Sequence, residues 1–503
     1  MPVLIPDLTL PARSRTWKWW ICGLLLLATM INYMDRLTLN LMALPILDEF
    51  GLQAREYGYL ESVFGVAFAL GSILMGVLAD RWNVRWIYLA AVLLWSLAGF
   101  LTGLATTFAG LLLCRFCLGL AESGNWPCAL RTTQRILPPS ERPMGNSLLQ
   151  SGAALGSVLT PLIVTPLFLY SGSWRYAFMV VGALGLFWVA GWMASLRGAD
   201  LALDHGKQSH FLLTLLAFLV LLYGIDLAVH LRFAATPAIP LAVKFAVTAV
   251  GVGGVAVWLG AVTRGDPELV RGVFFRRFAV LAVLVVAINL TWHFFRAWLP
   301  LFLQNQHGYS LEEFSQFSIA YYIATDAGCL TAGFVTLRLS RRGLPIHTSR
   351  VLVFSVCALA TTLSLAAAVL PRGWLLLAVL LVIGFACLGL LPNYYSFSQE
   401  LTTRHQGKLT GALSCICWMF MSLLQEVVGD VVQRTGSYTE GVAFAGLPPL
   451  LGVVALLLFW GKPSAAEVHA PAEETAPRKH AEGITLPPPS VDAVHAGEHH
   501  LLG

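Results

Sequence analysis

Apolar runs about as long as a bilayer-crossing helix recur along the chain, separated by short segments that carry most of its charge. About 20 apolar residues are needed to cross the hydrocarbon layer as an α-helix. The pattern therefore predicts about fourteen membrane-spanning helices. Their predicted limits are 18–46, 56–79, 86–106, 108–130, 144–170, 175–196, 210–231, 239–262, 277–303, 314–338, 350–370, 374–400, 408–433 and 439–460.

The composition agrees with this pattern. Of the 503 residues, 57% are hydrophobic and only 12% are charged, and the mean hydropathy is +0.72. A soluble chain of this length could not bury so much apolar surface in one core, so the sequence predicts an all-α polytopic membrane protein. Arg13, Arg15 and Lys18 precede the first run as in a signal peptide, but no small-residue cleavage site follows, so we expect the run to remain as a span.

The positions of the basic residues predict the topology. Cytoplasmic loops of membrane proteins are enriched in Lys and Arg. Most basic residues of the chain fall in loops that the span count places on one side, together with both termini. The other side carries only Arg55, Arg175, Arg232, Arg372 and Arg434. We therefore expect a multi-pass protein of the plasma (inner) membrane with both termini cytoplasmic, and no nucleic acid as a partner.

The runs are arranged as two related halves with an addition between them. "GVLADRWNVR" after the second run has a counterpart in "GFVTLRLSRRG" in the later half, and such repeats are typical of secondary transporters. The extra pair 210–262 enters and leaves on the same side, so it can be inserted without inverting the second half. The predicted division is a cytoplasmic N-terminus 1–17, a six-helix lobe 18–200, an inserted helix pair with linkers 201–270, a six-helix lobe 271–461 and a disordered cytoplasmic tail 462–503.

Enzymatic and metal-dependent functions find no support in the motifs. The loops carry no Gly-x4-Gly-Lys phosphate loop, no His-Glu-x-x-His and no Ser-His-Asp setting. The nine cysteines include pairs within predicted spans, but no histidine or further cysteine pair completes a metal site there. The sequence therefore predicts neither an enzyme nor a bound cofactor or metal.

Charged residues inside the predicted spans are the candidates for chemistry. An ionisable group at the bilayer centre costs on the order of 3 kcal/mol, so those that remain usually face a water-filled cavity. Arginine stays charged and its planar fork suits a carboxylate, whereas a carboxylic acid in a dry cavity can gain or lose a proton. Static salt bridges between helices are the structural alternative. The candidates are Asp35, Arg36, Arg115, Glu122, His293, Arg296 and Asp326.

Spacing predicts how these groups are oriented. Arg115 and Glu122 lie seven residues apart, on one face of a helix, and can address the same cavity although they are roughly 10 Å apart along the axis. Asp35 and Arg36 are neighbours, about 100° apart around a helix, and so point in different directions. One of them can meet a substrate while the other meets a partner helix.

"GVLADRWNVRW", residues 76–86, resembles the signature loop of the major facilitator superfamily. Gly76, Asp80, Arg81 and Arg85 match the motif, and the resemblance implies that they latch inward-closed conformations. Asn83 stands where the motif usually has glycine, and we expect it to be tolerated because asparagine accepts left-handed backbone angles better than most residues.

"INYMDR" at 31–36, "RFCLGLAESGNWPCALR" at 115–131 and "WHFFRAWLPLFLQ" at 292–304 together resemble the anion:cation symporter family of that superfamily, which includes hexuronate and galactonate permeases. The resemblance covers 15–200 and 275–460. It implies the major facilitator fold of two six-helix lobes, with proton coupling by Asp35 and Glu122. The residues that it implies in substrate binding are Tyr33, Arg36 and Arg115, together with Asn393 and Tyr394 of "PNYYSF".

Three features depart from that family. The pair 210–262 is additional, Phe68 removes a hydroxyl from a position that is often tyrosine, and Arg296 adds a buried cation. Arg296 therefore joins the predicted substrate-binding residues, because it favours an anion and would suit one with a second acidic group.

The functional prediction is a secondary active transporter that carries an organic anion, such as a hexuronate or aldonate sugar acid, in symport with protons. Sodium is an alternative coupling ion. The predicted partners are the small anion, the coupling ion and membrane lipid, and the expected state is a monomer. One alternative is a 14-span drug:proton antiporter, although "GAALGSVLTP" at 152–161 lacks the Gly-Pro and paired glycines of that group. A membrane sensor derived from a transporter is another, suggested by the extra helices and the tail.

Overall fold

The computed structural model describes residues 15–138, 141–201, 241–264, 271–401 and 406–461. The regular secondary structure in these ranges is helical throughout. The N-terminal half consists of α1 (Arg15–Leu41), α2 (Ala43–Phe50), α3 (Ala54–Arg81), α4 (Val84–Thr102), α5 (Phe108–Glu122), α6 (Asn125–Ile136), α7 (Arg142–Ser171) and α8 (Arg175–Ser195), followed by a 3-10 turn at Gly198–Leu201.

After a separate helix α9 (Leu241–Val262), the C-terminal half begins. Its first helix, α10 (Arg271–Leu301), continues as a π-helical turn at Phe302–Gln306. The remaining helices are α11 (Leu311–Arg341), α12 (Ile346–Thr361), α13 (Ser364–Ala367), α14 (Trp374–Gly389), α15 (Leu391–Leu401), α16 (Gln406–Thr435), α17 (Thr439–Ala445) and α18 (Pro448–Phe459).

Each predicted apolar run within the described ranges corresponds to one helix or to two consecutive helices; the run 210–231 lies outside them. Nine helical stretches of the described chain are long and apolar enough to cross a membrane. α1, α3 and α11 are also long, with 27, 28 and 31 residues, but they carry charged side chains. The described part of the chain is therefore all-helical, the protein is a multi-pass membrane protein, and the count of fourteen spans stays a prediction.

Some predicted runs are interrupted, for local chemical reasons. The run 439–460 breaks at Gly446 and Leu447, and α18 then starts with Pro448 and Pro449. Proline has no backbone N–H and is well placed in the first turn of a helix, where that group would be unpaired. The run 374–400 breaks in the same way just before Pro392.

The two halves meet along a seam between α3 and α16, with further contacts of α7 with α11 and of α1 with α10. Small residues make the close approach possible. A Cβ atom at Gly58 would lie only 2.5 Å from the carbonyl oxygen of Gln425, and one at Gly65 would lie 3.3 Å from Ser422. Small residues of this kind let membrane helices approach closely.

Polar contacts close one end of this seam. The Thr165 hydroxyl donates to Ser315 at 3.0 Å, joining α7 to α11. The Gln433 amide donates to Gln53, joining α16 to the start of α3. At the opposite end, α6 and α15 pack against helices of their own halves. The structure is therefore closed at the end where α3 begins and α16 ends.

Candidate functional site

A cluster of charged side chains lies between the two halves. It is contributed by α1, α3 and α5 of the N-terminal half and by α10 of the C-terminal half. Each of these residues is at most 8% exposed. The members of this cluster, called the ion-pair cluster below, are Arg36, Glu61, Arg115, Glu122 and Arg296.

Glu61 is the central member of the ion-pair cluster. Its Oε1 atom accepts hydrogen bonds from Arg115 Nη2 at 3.1 Å and from Asn40 Nδ2 at 3.1 Å. Its Oε2 atom accepts from Arg296 Nη2 at 2.5 Å. One carboxylate therefore pairs with two arginines that come from different halves of the protein.

Asn40 and Tyr57 hold this arrangement in place. Arg296 Nη1 donates to Asn40 Oδ1 at 3.1 Å, and Asn40 Nδ2 also donates to the Tyr57 hydroxyl at 2.9 Å. The Tyr57 hydroxyl in turn donates to the Ala297 carbonyl at 2.9 Å. The side-chain oxygen and amide group of Asn40 are thus both used, as expected for a buried polar group.

Arg36 pairs with Glu122 and lies among aromatic rings. Its Nε atom donates to Glu122 Oε2 at 2.5 Å. Its guanidinium carbon lies 4.8 Å from the ring centre of Phe68, 5.3 Å from Phe64 and 5.7 Å from Trp418 of the C-terminal half. These cation–π contacts stabilise the charge away from water, and Phe68 supplies one of them although it lacks the tyrosine hydroxyl.

Tyr33 lies on the same side of the cluster, with its ring centre 5.5 Å from the Arg36 guanidinium carbon. Its side chain is only partly buried. The structure therefore places Tyr33 beside Arg36, where a phenol hydroxyl could meet a polar ligand.

Asp35 points away from Arg36, as the 100° step between neighbours predicts. Its side chain is 2% exposed, and neither carboxylate oxygen has a hydrogen-bond partner in the described structure. A Cβ atom at Gly99 of α4 would lie 2.8 Å from Asp35 Oδ1, so the carboxyl group occupies the space that this glycine leaves. Asp35 is thus packed inside the N-terminal half, behind the ion-pair cluster.

The ion-pair cluster has unused hydrogen-bonding capacity. Arg115 is 1% exposed, and its Nε and Nη1 atoms have no partner among the described residues. The Oε1 atom of Glu122 is likewise unpaired in that part of the chain. Buried polar groups are normally satisfied. The two Arg115 nitrogens are therefore suited to a ligand that supplies hydrogen-bond acceptors.

His293 and Asp326 are placed differently from each other. His293 Nδ1 accepts a hydrogen bond from Arg296 Nε at 3.3 Å, and its ring meets Trp418 edge-on at 4.7 Å. His293 therefore supports the guanidinium of Arg296. Asp326 is half-buried on α11 and is not a member of the ion-pair cluster.

Asn393 and Tyr394 lie on α15. Asn393 Oδ1 accepts from the Thr336 hydroxyl at 3.2 Å, a contact within the C-terminal half. Tyr394 is 5% exposed, whereas the adjacent Tyr395 is 48% exposed. Of the two neighbouring tyrosines, Tyr395 is thus the more accessible to a ligand.

The four predicted latch residues lie at the end of α3 and the start of α4. Gly76, Asp80 and Arg81 belong to α3, but their side chains lie outside the described residues. The Arg85 guanidinium carbon lies 4.9 Å from the Trp86 ring centre. Asn83 has φ −62° and is not left-handed; it caps α4 by accepting from the Arg85 N–H at 3.0 Å.

Sequence reasoning missed Glu61, Asn40 and Tyr57. Glu61 is an acidic residue within the run 56–79 and satisfies the same criterion as the selected candidates. Asn40 and Tyr57 are uncharged and carried no comparable signal.

A second buried pair joins α9 to the seam between the halves. Lys244 of α9 forms a salt bridge with Glu426 of α16, and Glu426 Oε1 also accepts from the Ser62 hydroxyl of α3 at 2.6 Å. The Lys244 ammonium lies 5.1 Å from the ring centre of Tyr59, also on α3. Lys244 therefore contacts both halves.

A small cavity lies beside Asn40, on the seam between the halves. Apolar, hydroxyl and amide side chains surround it, so it is not suited to bind an anion by itself. Its lining consists of Leu37, Asn40, Leu41, Thr160, Pro161, Pro300, Phe314, Ser318 and Tyr322.

Comparison with known families decides the class of the protein. Residues 25–425 match the family described as Major Facilitator Superfamily. The chain belongs to this superfamily. It is therefore a membrane transporter and not an enzyme.

Curated relatives confirm the resemblance to sugar-acid permeases. The probable L-galactonate transporter of Escherichia coli is 26% identical over 88% of this chain and 88% of its own length. The hexuronate transporter of Escherichia coli is 23% identical over 91% of this chain and 96% of its own. The probable sulfoacetate transporter of Cupriavidus necator is 25% identical over 92% and 97%.

Solved structures share the fold. A POT family transporter in complex with 5-aminolevulinic acid has a TM-score of 0.70 at 13% identity, covering 87% of this chain and 95% of the other. An inward-facing, occupied bacterial homologue of the lysosomal transporter Spinster has a TM-score of 0.61 at 18% identity, covering 89% and 96%.

Proposed function

We propose that the protein is a secondary active transporter that carries a small organic anion, such as a hexuronate or aldonate sugar acid, in symport with protons. The observation that carries the proposal is the convergence of Arg36, Arg115 and Arg296 between the two halves. Buried arginines are suited to bind carboxylates bidentately. Relatives named as L-galactonate and hexuronate transporters support this class of substrate.

In this proposal the substrate carboxylate binds Arg115 and Arg36. Arg115 has unpaired Nε and Nη1 donors, and Arg36 lies beside Tyr33, which can meet a sugar hydroxyl. Asn393 and Tyr394 remain weaker candidates for hydroxyl contacts. Arg296 already pairs with Glu61, so its charge no longer argues for a substrate with a second acidic group.

Proton coupling is proposed to depend on Glu122 and Asp35. Glu122 shares Arg36 with the incoming substrate. A substrate carboxylate that binds Arg36 would weaken the Arg36–Glu122 pair and favour proton uptake by Glu122. Asp35 is buried without a hydrogen-bond partner in the described structure, which makes it a second candidate for carrying a proton.

The transport cycle is proposed to alternate access between the two ends of the seam. The closed end is assigned to the outside, with both termini cytoplasmic in the plasma (inner) membrane, because the opposite end carries most of the basic loops. Two six-helix lobes, 18–200 and 271–461, would rock about the ion-pair cluster. Gly76, Asp80, Arg81 and Arg85 would then latch the cytoplasmic end when the protein opens outward.

The test is uptake of radiolabelled glucuronate and galactonate into proteoliposomes with an acidic exterior. Uptake should collapse when the proton gradient is dissipated, should be lost in Arg36→Ala and should lose its pH dependence in Glu122→Gln. Arg434→Ala, an exposed arginine at the closed end, serves as the matched control. A sodium gradient that drives uptake at equal pH would contradict proton coupling, and absence of uptake of either anion would contradict the proposed substrate class.

A further inference from the structure

We propose that Glu61 is an internal counter-carboxylate that limits the site to singly charged anions. It would do so by occupying the arginine donors that a second substrate carboxylate would need. The inference rests on the proposed function, since it specifies the charge of the organic anion that the same site accepts.

The contacts of Glu61 show that the guanidinium donors around it are already occupied. Both of its oxygens accept hydrogen bonds from guanidinium groups, Oε1 from Arg115 and Oε2 from Arg296. Its side chain is 2% exposed, so water does not compete for these donors. In effect, a carboxylate anchored to α3 already binds where a free carboxylate would bind.

The charge balance of the ion-pair cluster favours one additional negative charge over two. With both glutamates ionised, the ion-pair cluster carries three positive and two negative charges, which leaves one positive charge uncompensated when the substrate arrives. One substrate carboxylate neutralises that charge. A second carboxylate would be buried beside Glu61 without a counter-ion, and an uncompensated buried charge is strongly unfavourable.

The donors of Arg115 that Glu61 leaves free are enough for one substrate carboxylate only. Arg115 retains its Nε and Nη1 groups, and these are not used by any described residue. Each of them can donate a hydrogen bond to an oxygen of one substrate carboxylate. The Nη2 atoms of Arg115 and Arg296, by contrast, are engaged by Glu61, so a second carboxylate would have to displace a tethered competitor.

The experiment measures the affinity of detergent-purified, full-length protein for four six-carbon sugar acids. Glucuronate and galactonate carry one carboxylate, whereas galactarate and glucarate carry two. Isothermal titration calorimetry gives the dissociation constants, from which the ratio of dianion to monoanion affinity is calculated. Binding is measured without a gradient and at one fixed pH, so the four acids are compared under the same conditions.

We expect the wild type to bind the monoanions at least about tenfold more tightly than the dianions, a discrimination typical of charge-assisted hydrogen bonds. Glu61→Gln should raise the relative affinity for the dianions about tenfold or more. Glu61→Gln combined with Arg296→Gln restores the net charge and should return the ratio toward the wild-type value. Glu440→Gln, an exposed glutamate at the closed end, is the matched control.

A wild type that binds the dianions as tightly as the monoanions would overturn the inference, even if no variant folds. An unchanged ratio in Glu61→Gln would overturn it as well. If the wild type binds none of the four acids, the proposed function itself fails, which is a different outcome from binding without discrimination by charge.

Discussion

At the scale of single residues, buried charges are stabilised by specific partners, not by burial alone. Glu61 accepts hydrogen bonds from three side chains. Arg36 donates to one carboxylate and contacts several aromatic rings. Asp35 has no hydrogen-bond partner among the described residues. Since an unsatisfied buried polar group costs free energy, Asp35 stands apart from the other charged residues of the site.

A pH effect on stability is expected at Glu49, which lies at the closed end just beyond the first span. Arg175 Nη2 donates to Glu49 Oε1 at 2.5 Å, and Trp174 Nε1 donates to Oε2 at 2.6 Å. The hydrogen bond from Arg175 is the main reason why the pKa of Glu49 lies below its usual value of 4.5. Ionised Glu49 therefore stabilises the fold above that pH, and the stabilisation is lost as the pH falls below it.

The measurement is the melting temperature of wild type and Glu49→Gln in detergent between pH 7 and about pH 3.5. The wild type should melt at a higher temperature at pH 7, and the two curves should converge at the acidic end. A difference that stays constant over the whole range would contradict the ionic role of Glu49. Because the side chain of Glu49 is 44% exposed, the effect should be small and should weaken in high salt.

At the scale of the elements, an ion pair contributes to the attachment of α9 to the seam. Lys244 forms a salt bridge with Glu426, which also accepts from Ser62 of α3. The additional helix is therefore joined by charge to α16, which forms the seam with α3. This gives α9 a contact with the part of the protein that is proposed to rearrange during alternating access.

Lys244→Met should destabilise the protein by about 3 kcal/mol, because removing one partner leaves Glu426 as an uncompensated buried charge. Adding Glu426→Gln to Lys244→Met should recover most of that loss, since the double variant buries no unpaired charge. Chemical denaturation of the four proteins in a double-mutant cycle measures the coupling. Additive effects would show that the pair does not interact.

At the scale of the whole molecule, the closed end depends on how closely the two halves approach. The seam has no room at Gly58, where a Cβ atom would lie 2.5 Å from the Gln425 carbonyl oxygen. Arg296 adds a bridge from the C-terminal half to Glu61 and Asn40. Opening of this end therefore requires the helices to separate and the bridge to break.

Gly58→Leu should shift the population toward a conformation that is open at this end. Spin labels attached through Gln53→Cys and Gln433→Cys, whose native side chains are hydrogen-bonded across the seam, report the separation. The distance between the two labels, measured by double electron–electron resonance, should be longer in Gly58→Leu. Gly23→Leu is the control, because a Cβ atom there meets nothing within 4 Å. Equal distance distributions in both variants would rule out the steric explanation.

The sequence alone determined the features that depend on neighbouring residues. Hydropathy located the helices, because a chain inside a bilayer must satisfy its backbone hydrogen bonds locally. Proline and glycine account locally for the breaks between α14 and α15 and between α17 and α18, which the apolar runs did not predict. The divergence of Asp35 and Arg36 followed from helix geometry.

Only the tertiary structure decided which charges meet. Arg36 and Glu122 are 86 residues apart, and Glu61 and Arg296 are 235 residues apart. Any of the buried arginines could have been matched with either glutamate, since charge and burial are the same in each combination. The packing of α3 between α5 and α16 selects one combination, because it brings Glu61 within reach of an arginine from each half.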